Sequence, residues 1–176
     1  EQPLPSGPRI TYDRARPVHS VSVVLEKVIV MSDSTHWPLQ IDLVPTPCQP
    51  YSIRRLSRFG HWRRMTRDAL TAPVCDICGS PKPLTIHERW GREGDYCYAR
   101  FVDLQAVCHY CELILNHGTA RELVGAGQLS LEDLDDLRQH FARINRVDPE
   151  LLDPHYGAKW TEWQRLSQYT WIIDCG

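Results

Sequence analysis

Apolar and polar positions along the chain alternate in some stretches and recur every three or four residues in others. Leu39–Val44 (Leu-Gln-Ile-Asp-Leu-Val) alternates, which predicts a half-buried strand, and His19–Met31 is dense in β-branched residues and predicts another. Trp62, Met65, Ala69 and Leu70 recur at helical spacing, so a short amphipathic helix is expected over 61–70. Leu131, Leu134, Leu137, Phe141 and Ile144 keep the same spacing behind Ser130, which predicts a helix to about Asn145 with Ser130 as its N-cap and acids in its first turn. A last helix is expected around Lys159–Gln168, followed by a closing strand at Thr170–Ile173. Residues 1–17, with four prolines and no period, read as an extended arm, and Pro45, Pro47 and Pro50 interrupt regular structure.

The 176 residues suffice for one domain with a real core, and 42% apolar against 24% charged residues is the balance of a globular protein. Twenty Lys and Arg against 22 Asp and Glu leave a formal charge of −2, which argues against a cationic nucleic-acid binder that works through its whole surface. No run approaches the ~18 uninterrupted apolar residues of a membrane span. With no leader and no initiator Met, the start reads as processed or trimmed.

Cysteine usage changes the picture. Of seven cysteines, four form the pairs Cys75/Cys78 and Cys108/Cys111, while Cys48, Cys97 and Cys175 stand apart. Two thiolates two residues apart reach one ion from a tight turn, so the pairs suit a structural zinc; four thiolates leave it no open position for substrate. An odd count argues against a secreted disulfide framework and for a reducing, intracellular and cytoplasmic setting. Cys97 is expected to be a small core residue, and His109, between the second pair, a surface residue. Twenty-nine residues separate Cys78 from Cys108, more than the ~15–20 of a plain zinc ribbon. That insert reads as a strand (Leu84-Thr-Ile-His-Glu-Arg-Trp90), a turn at Gly91–Gly94 and a second strand at Tyr96–Val102. A helix start at Glu112–His117 follows the second pair.

Over roughly residues 60–120 the chain resembles the HNH (ββα-metal) family in its four-cysteine, zinc-stabilised form. The residues concerned are Cys75-Asp-Ile-Cys78-Gly79, Leu84-Thr-Ile-His87-Glu88 and Asp103-Leu-Gln-Ala-Val-Cys108-His-Tyr-Cys111. Leu43-Val-Pro45, His87-Glu-Arg-Trp90 and the Trp-rich tail extend the likeness to a bacterial and phage subgroup. The resemblance implies a central ββα-metal zinc-knuckle element over 53–125; with the β-rich segment read over 18–52 and the C-terminal helices and closing strand over 126–176, the expected fold is α+β. The resemblance also implies a Mg²⁺ or Mn²⁺ ion set against a scissile phosphate. His87 stands where the family has a metal ligand, Glu88 where it has its general-base His, Asp103 where it has a supporting Asn, and Glu112 at a second metal-ligand position. Three of these four residue types are changed, and Glu, with a pKa near ~4.3, is a poorer base than His at ~6.5. In another register His87 is itself the base, with Glu88 or Glu112 on the metal; His117, beside Asn116, is a further candidate ligand.

Between Ile53 and Asp68, six arginines (Arg54, Arg55, Arg58, Arg63, Arg64, Arg67) face one acid and interleave with Phe59, His61 and Trp62, the composition of a phosphate-binding strip. Trp160, Trp163 and Trp171 are expected to pack the last helix and strand, and Trp90 to wall the metal cleft. The function expected is DNA hydrolysis or nicking. The alternative is a catalytically degenerate HNH-like zinc module that binds nucleic acid or protein within a larger assembly, the N-terminal arm reaching a protein partner.

Overall fold

A computed structural model describes residues 36–49, 59–81, 83–93 and 97–174. The arm and strand expected before residue 32 lie outside the described residues, as do Arg54, Arg55, Arg58 and Cys175. Among the described residues, five α-helices and a three-stranded sheet follow in the order α1 (Phe59–Ala69), β1 (Leu84–Glu93), β2 (Tyr98–Cys108), α2 (His109–Leu115), α3 (His117–Gly125), α4 (Leu131–Asn145), α5 (Leu152–Leu166) and β3 (Ile172–Asp174). The fold is therefore mixed α+β, with a β-hairpin leading directly into a helix. Among the described residues no helix is long and apolar enough to cross a membrane.

β1 and β2 pair antiparallel from Leu84 opposite Cys108 to Glu93 opposite Tyr98, and β3 adds in parallel along Tyr98–Arg100. The register slips at Arg89/Trp90: Arg89 faces Asp103 and Trp90 faces Phe101, so Val102 is the extra residue of a bulge. β2 outruns the expected Tyr96–Val102 strand and ends in the second cysteine pair. Ala106 and Val107 are buried there, and residues 84–86 of β1 pair with them and their neighbours.

α4 forms as its periodicity predicts. Ser130 Oγ accepts from the Asp133 backbone N–H at 3.1 Å, and the Asp133 carboxylate accepts from the Ser130 N–H at 2.7 Å, closing a capping box. Leu137 and Phe141 from this helix, Ile114 from α2, Ala120 from α3 and Leu152 from α5 join Leu39, Ile41 and Val107 in the main core. A smaller cluster of Cys48, Ala99, Leu166 and Trp171 seats the end of α5 against the sheet, with Cys97 packed on it as expected.

Two expectations need correction. Leu39–Val44 is not a strand. Its alternation does bury Leu39 and Ile41, but side chains and a helix carbonyl, not a neighbouring strand, satisfy its backbone, the Asp42 N–H donating to Leu115 O of α2 at 2.8 Å. Asn145 accepts from the Leu39 N–H at 3.0 Å and donates to the Leu39 carbonyl at 2.8 Å, and His155 Nε2 accepts from the Ile41 N–H at 3.2 Å. The last helix starts seven residues before Lys159, at Leu152. Pro154 lies in its first turn, where a missing N–H breaks no intrahelical bond.

Candidate metal centre and adjoining cleft

The first cysteine pair sits in a tight turn. The Cys75 N–H donates to Ser80 O at 2.8 Å and the Gly79 N–H to Cys75 O at 3.0 Å. Gly79 takes a left-handed φ of 73°, and a Cβ there would meet nothing within 4 Å, so the backbone angle rather than crowding calls for glycine. Asp76 ties this turn to β2: its N–H donates to Ala106 O at 2.9 Å, and its carboxylate accepts from the Ala106 N–H at 2.8 Å. The second pair spans the junction of β2 with α2.

These turns bring the sulfurs of Cys75, Cys78, Cys108 and Cys111 within 4.8 Å of one another, with Cys78 and Cys108 at 3.5 Å. Tetrahedral zinc with Zn–S bonds of ~2.3 Å has sulfurs about 3.8 Å apart, so the donor set fits such an ion. Burial pushes the Cys111 thiol upward, and the neighbouring sulfurs add to this. Burial also raises Cys78, but hydrogen bonds with Ser80, joined by those with Cys108 and Cys75, outweigh it and bring the thiol down to about 7. Thiols packed this closely give up their protons to a metal that takes their place.

Next to the cluster opens a cleft of about 520 Å³, lined by residues of the 42–49 segment, β1, α2, α3 and α5. His87 of β1, 8% exposed, is its central polar group. Its Nδ1 lies 3.2 Å from Glu112 Oε2 of α2, and its Nε2 lies 3.9 Å from Asp42 Oδ2. One carboxylate thus stands at each edge of the ring. Asn116, one turn after Glu112, donates to Glu112 Oε1 at 2.8 Å, and Arg92 grips Asp42 with both terminal nitrogens, one of them at 2.7 Å. Burial alone would lower the His87 pKa, but the two carboxylates, Asp42 and Glu112, carry it up to about 9 through their charge and the Glu112 hydrogen bond. Burial would likewise raise Asp42, yet His87 and Arg92 hold its carboxyl below the usual value.

Glu88 also lines the cleft, its Oε2 accepting from the Trp90 indole N–H at 3.1 Å. Trp160 and Trp163 of α5, stacked with centroids 4.5 Å apart, close the far wall, and Trp163 donates to Val44 O at 2.9 Å. Trp90 is a cleft wall, as expected, whereas Trp160 and Trp163 line the cleft as well as packing α5.

His87, Glu88 and Glu112 are therefore brought together, but Asp103 is not. It forms a half-exposed pair with Arg89 (2.8 and 2.5 Å) and does not line the cleft. His117 turns into the core, 1% exposed and edge-on to Tyr156, away from Glu112. Arg63, Arg64 and Arg67 stand exposed on α1, and His109 is exposed on α2. Asp42, Arg92 and Asn116 were missed. The one signal for Asp42 was an acid set between apolar residues in Leu39–Val44; Arg92 and Asn116 carried none. Compared with family models, curated proteins and solved structures, the chain finds no match.

Proposed function

We propose that the chain is an HNH-like, metal-dependent nuclease that hydrolyses or nicks DNA, with zinc on Cys75, Cys78, Cys108 and Cys111 as a structural clamp. The observation that carries this reading is the meeting of His87 from the hairpin with Glu112 from the following helix, 3.2 Å apart in an open cleft beside the cysteine cluster. Mg²⁺ or Mn²⁺ held by His87 Nδ1 and Glu112 Oε2 would supply a Lewis acid at a phosphate oxygen. With an ion on Nδ1, the ring proton would be on Nε2, on the side of the Asp42 carboxylate 3.9 Å away. Asn116 fixes the Glu112 carboxylate. Glu88, held by Trp90, is then the base that takes a proton from water; in the other register His87 itself is the base. Asp103 has no part in either. Arg63, Arg64 and Arg67 offer phosphate contacts on α1.

A specific observation favours the catalytically silent alternative. With His87 raised to about 9, the ring is an imidazolium between two carboxylates at neutral pH, neither base nor ligand until its Nδ1 proton leaves. Nicking of supercoiled plasmid separates the two. Zinc-loaded protein with Mn²⁺ or Mg²⁺ should nick, His87→Ala and Glu112→Ala should lose activity with zinc content unchanged, and Glu88→Ala should lose it if Glu88 is the base. No nicking by folded, zinc-loaded protein at any metal concentration or pH would leave the binding-module reading standing alone.

A further inference from the structure

We infer that His140 is a positioning residue of the metal centre, an N–H donor that caps the Cys111 sulfur from outside both cysteine pairs. It rests on a metal at the four cysteines and is independent of the nuclease reading.

His140 lies 29 residues beyond Cys111 in the chain, and its Nε2 is 3.3 Å from the Cys111 Sγ. The other ring nitrogen decides the direction of that bond. Arg143 Nη2 stands 2.7 Å from His140 Nδ1, and a guanidinium can only donate, so Nδ1 accepts and the ring proton sits on Nε2, facing the sulfur. The ring is held in this plane by Tyr110, stacked on it with centroids 5.4 Å apart and planes 22° apart.

Burial makes the bond consequential. Cys111 is 0% exposed and His140 4%, so bulk water does not reach the thiolate. Four thiolates around a dication leave a net double negative charge, and burying it without hydrogen-bond donors is expensive. Ser80 serves the first pair in the same way: its Oγ lies 3.2 Å from Cys78 Sγ and donates once that sulfur is a thiolate. Among the described residues, each cysteine pair thus has a side-chain donor. The one on the second pair comes from α4, so metal affinity is coupled to the docking of a helix that contributes no ligand.

The test compares His140→Gln, whose amide nitrogen can occupy the Nε2 position, with His140→Leu, which has no donor. Zinc affinity by chelator competition should fall about ten- to a hundredfold in His140→Leu and stay within a few-fold of the parent in His140→Gln. With cobalt in place of zinc, the sulfur-to-metal charge-transfer band should move to lower energy in the Leu variant alone. Equal affinities and bands in all three proteins would overturn the proposal, as would a Gln variant as weak as the Leu variant. A measurement on the unaltered chain covers a Leu variant that does not fold. Loaded with an NMR-active cadmium isotope and nitrogen-labelled on histidine, His140 should carry its proton on Nε2 and show coupling to cadmium across the sulfur. An Nδ1–H tautomer, or no coupling in cadmium-loaded protein, would refute it. A chain that takes up no metal would overturn the metal centre itself, a distinct result.

Discussion

Replacing Asn145 by Ala cuts the two-bond tie at Leu39, one of those that hold the 37–44 segment in place of a strand ladder. The side chain makes two hydrogen bonds to the backbone of Leu39, at 3.0 and 2.8 Å, and Leu39 is 0% exposed. Each buried backbone group left without a partner costs ~1–3 kcal/mol, so the two together cost ~2–6 kcal/mol. Water entering the space vacated by the side chain recovers part of this, which puts the expected loss at about 3 kcal/mol. The assay is urea unfolding of the zinc-loaded protein followed by far-UV circular dichroism, and the midpoint should fall with the slope unchanged. Because this segment delivers Asp42 to His87, the His87 pKa followed by NMR should also drop from about 9 towards its ordinary value. A loss below ~1 kcal/mol with the His87 titration unmoved would refute the reasoning. Burial of Leu39 and Ile41 would then suffice to place the segment.

Chelating the metal at neutral pH should unfold the hairpin and α2, seen as a loss of circular dichroism that zinc restores. His87, raised to about 9 when folded, stabilises the protein fully below its unfolded value of ~6.5, and this contribution is lost as the pH rises towards 9. The stability gap between the parent and His87→Gln should close over that window, and a gap independent of pH would contradict it. His117 is buried with both ring nitrogens lacking partners among the described residues, and burial, with the charge of Arg121, pushes its pKa down to about 4. It therefore costs stability as the pH falls from ~6.5 towards 4. His117→Phe should gain about 1 kcal/mol at neutral pH by thermal unfolding, and more in mild acid. Arg63→Ala with Arg64→Ala should lower the salt slope of DNA binding by about 2, and an unchanged slope would remove α1 from the interface.

Local pattern and long-range polar pairing contributed unequally to what could be read in advance. α4 was legible to its ends because both its apolar stripe and its cap lie within one stretch of sequence. The hairpin between the cysteine pairs was legible for the same reason, and spacing alone pointed to the convergence of the four cysteines. Leu39–Val44 misled because alternation reports which side chains are buried, not what the backbone bonds to. Its partners, Asn145 and His155, lie 106 and 114 residues away. Asn116 and His140 carry no periodic signal either, and their roles depend on which face of a helix meets a distant group. Asp103 was placed by family likeness, but the strand register sets it opposite Arg89, where an ion pair forms on the outer side of the sheet.

The four-cysteine cluster and the cleft are mechanically one unit. β2 ends at Cys108 opposite Leu84, the first residue of β1, and α2 begins at the next residue. Cys111 and Glu112 are adjacent on that helix, and His87 stands three residues along β1 from Leu84. Fixing Cys108 and Cys111 on one ion therefore fixes the angle between α2 and the hairpin, and with it the separation of Glu112 from His87. Asp42 arrives by another route, in a segment held by α4 and α5, but it is also tied to that unit: its N–H donates to Leu115 O of α2 at 2.8 Å and its carboxylate accepts from Arg92 of β1. Perturbing a cysteine should hence destroy the fold and the His87–Glu112 contact together, whereas perturbing Asn145 should loosen the segment that carries Asp42 and leave the His87–Glu112 contact in place. The His87–Glu112 contact thus depends on the cysteine cluster, and the placing of Asp42 depends both on that unit and on the segment that Asn145 holds.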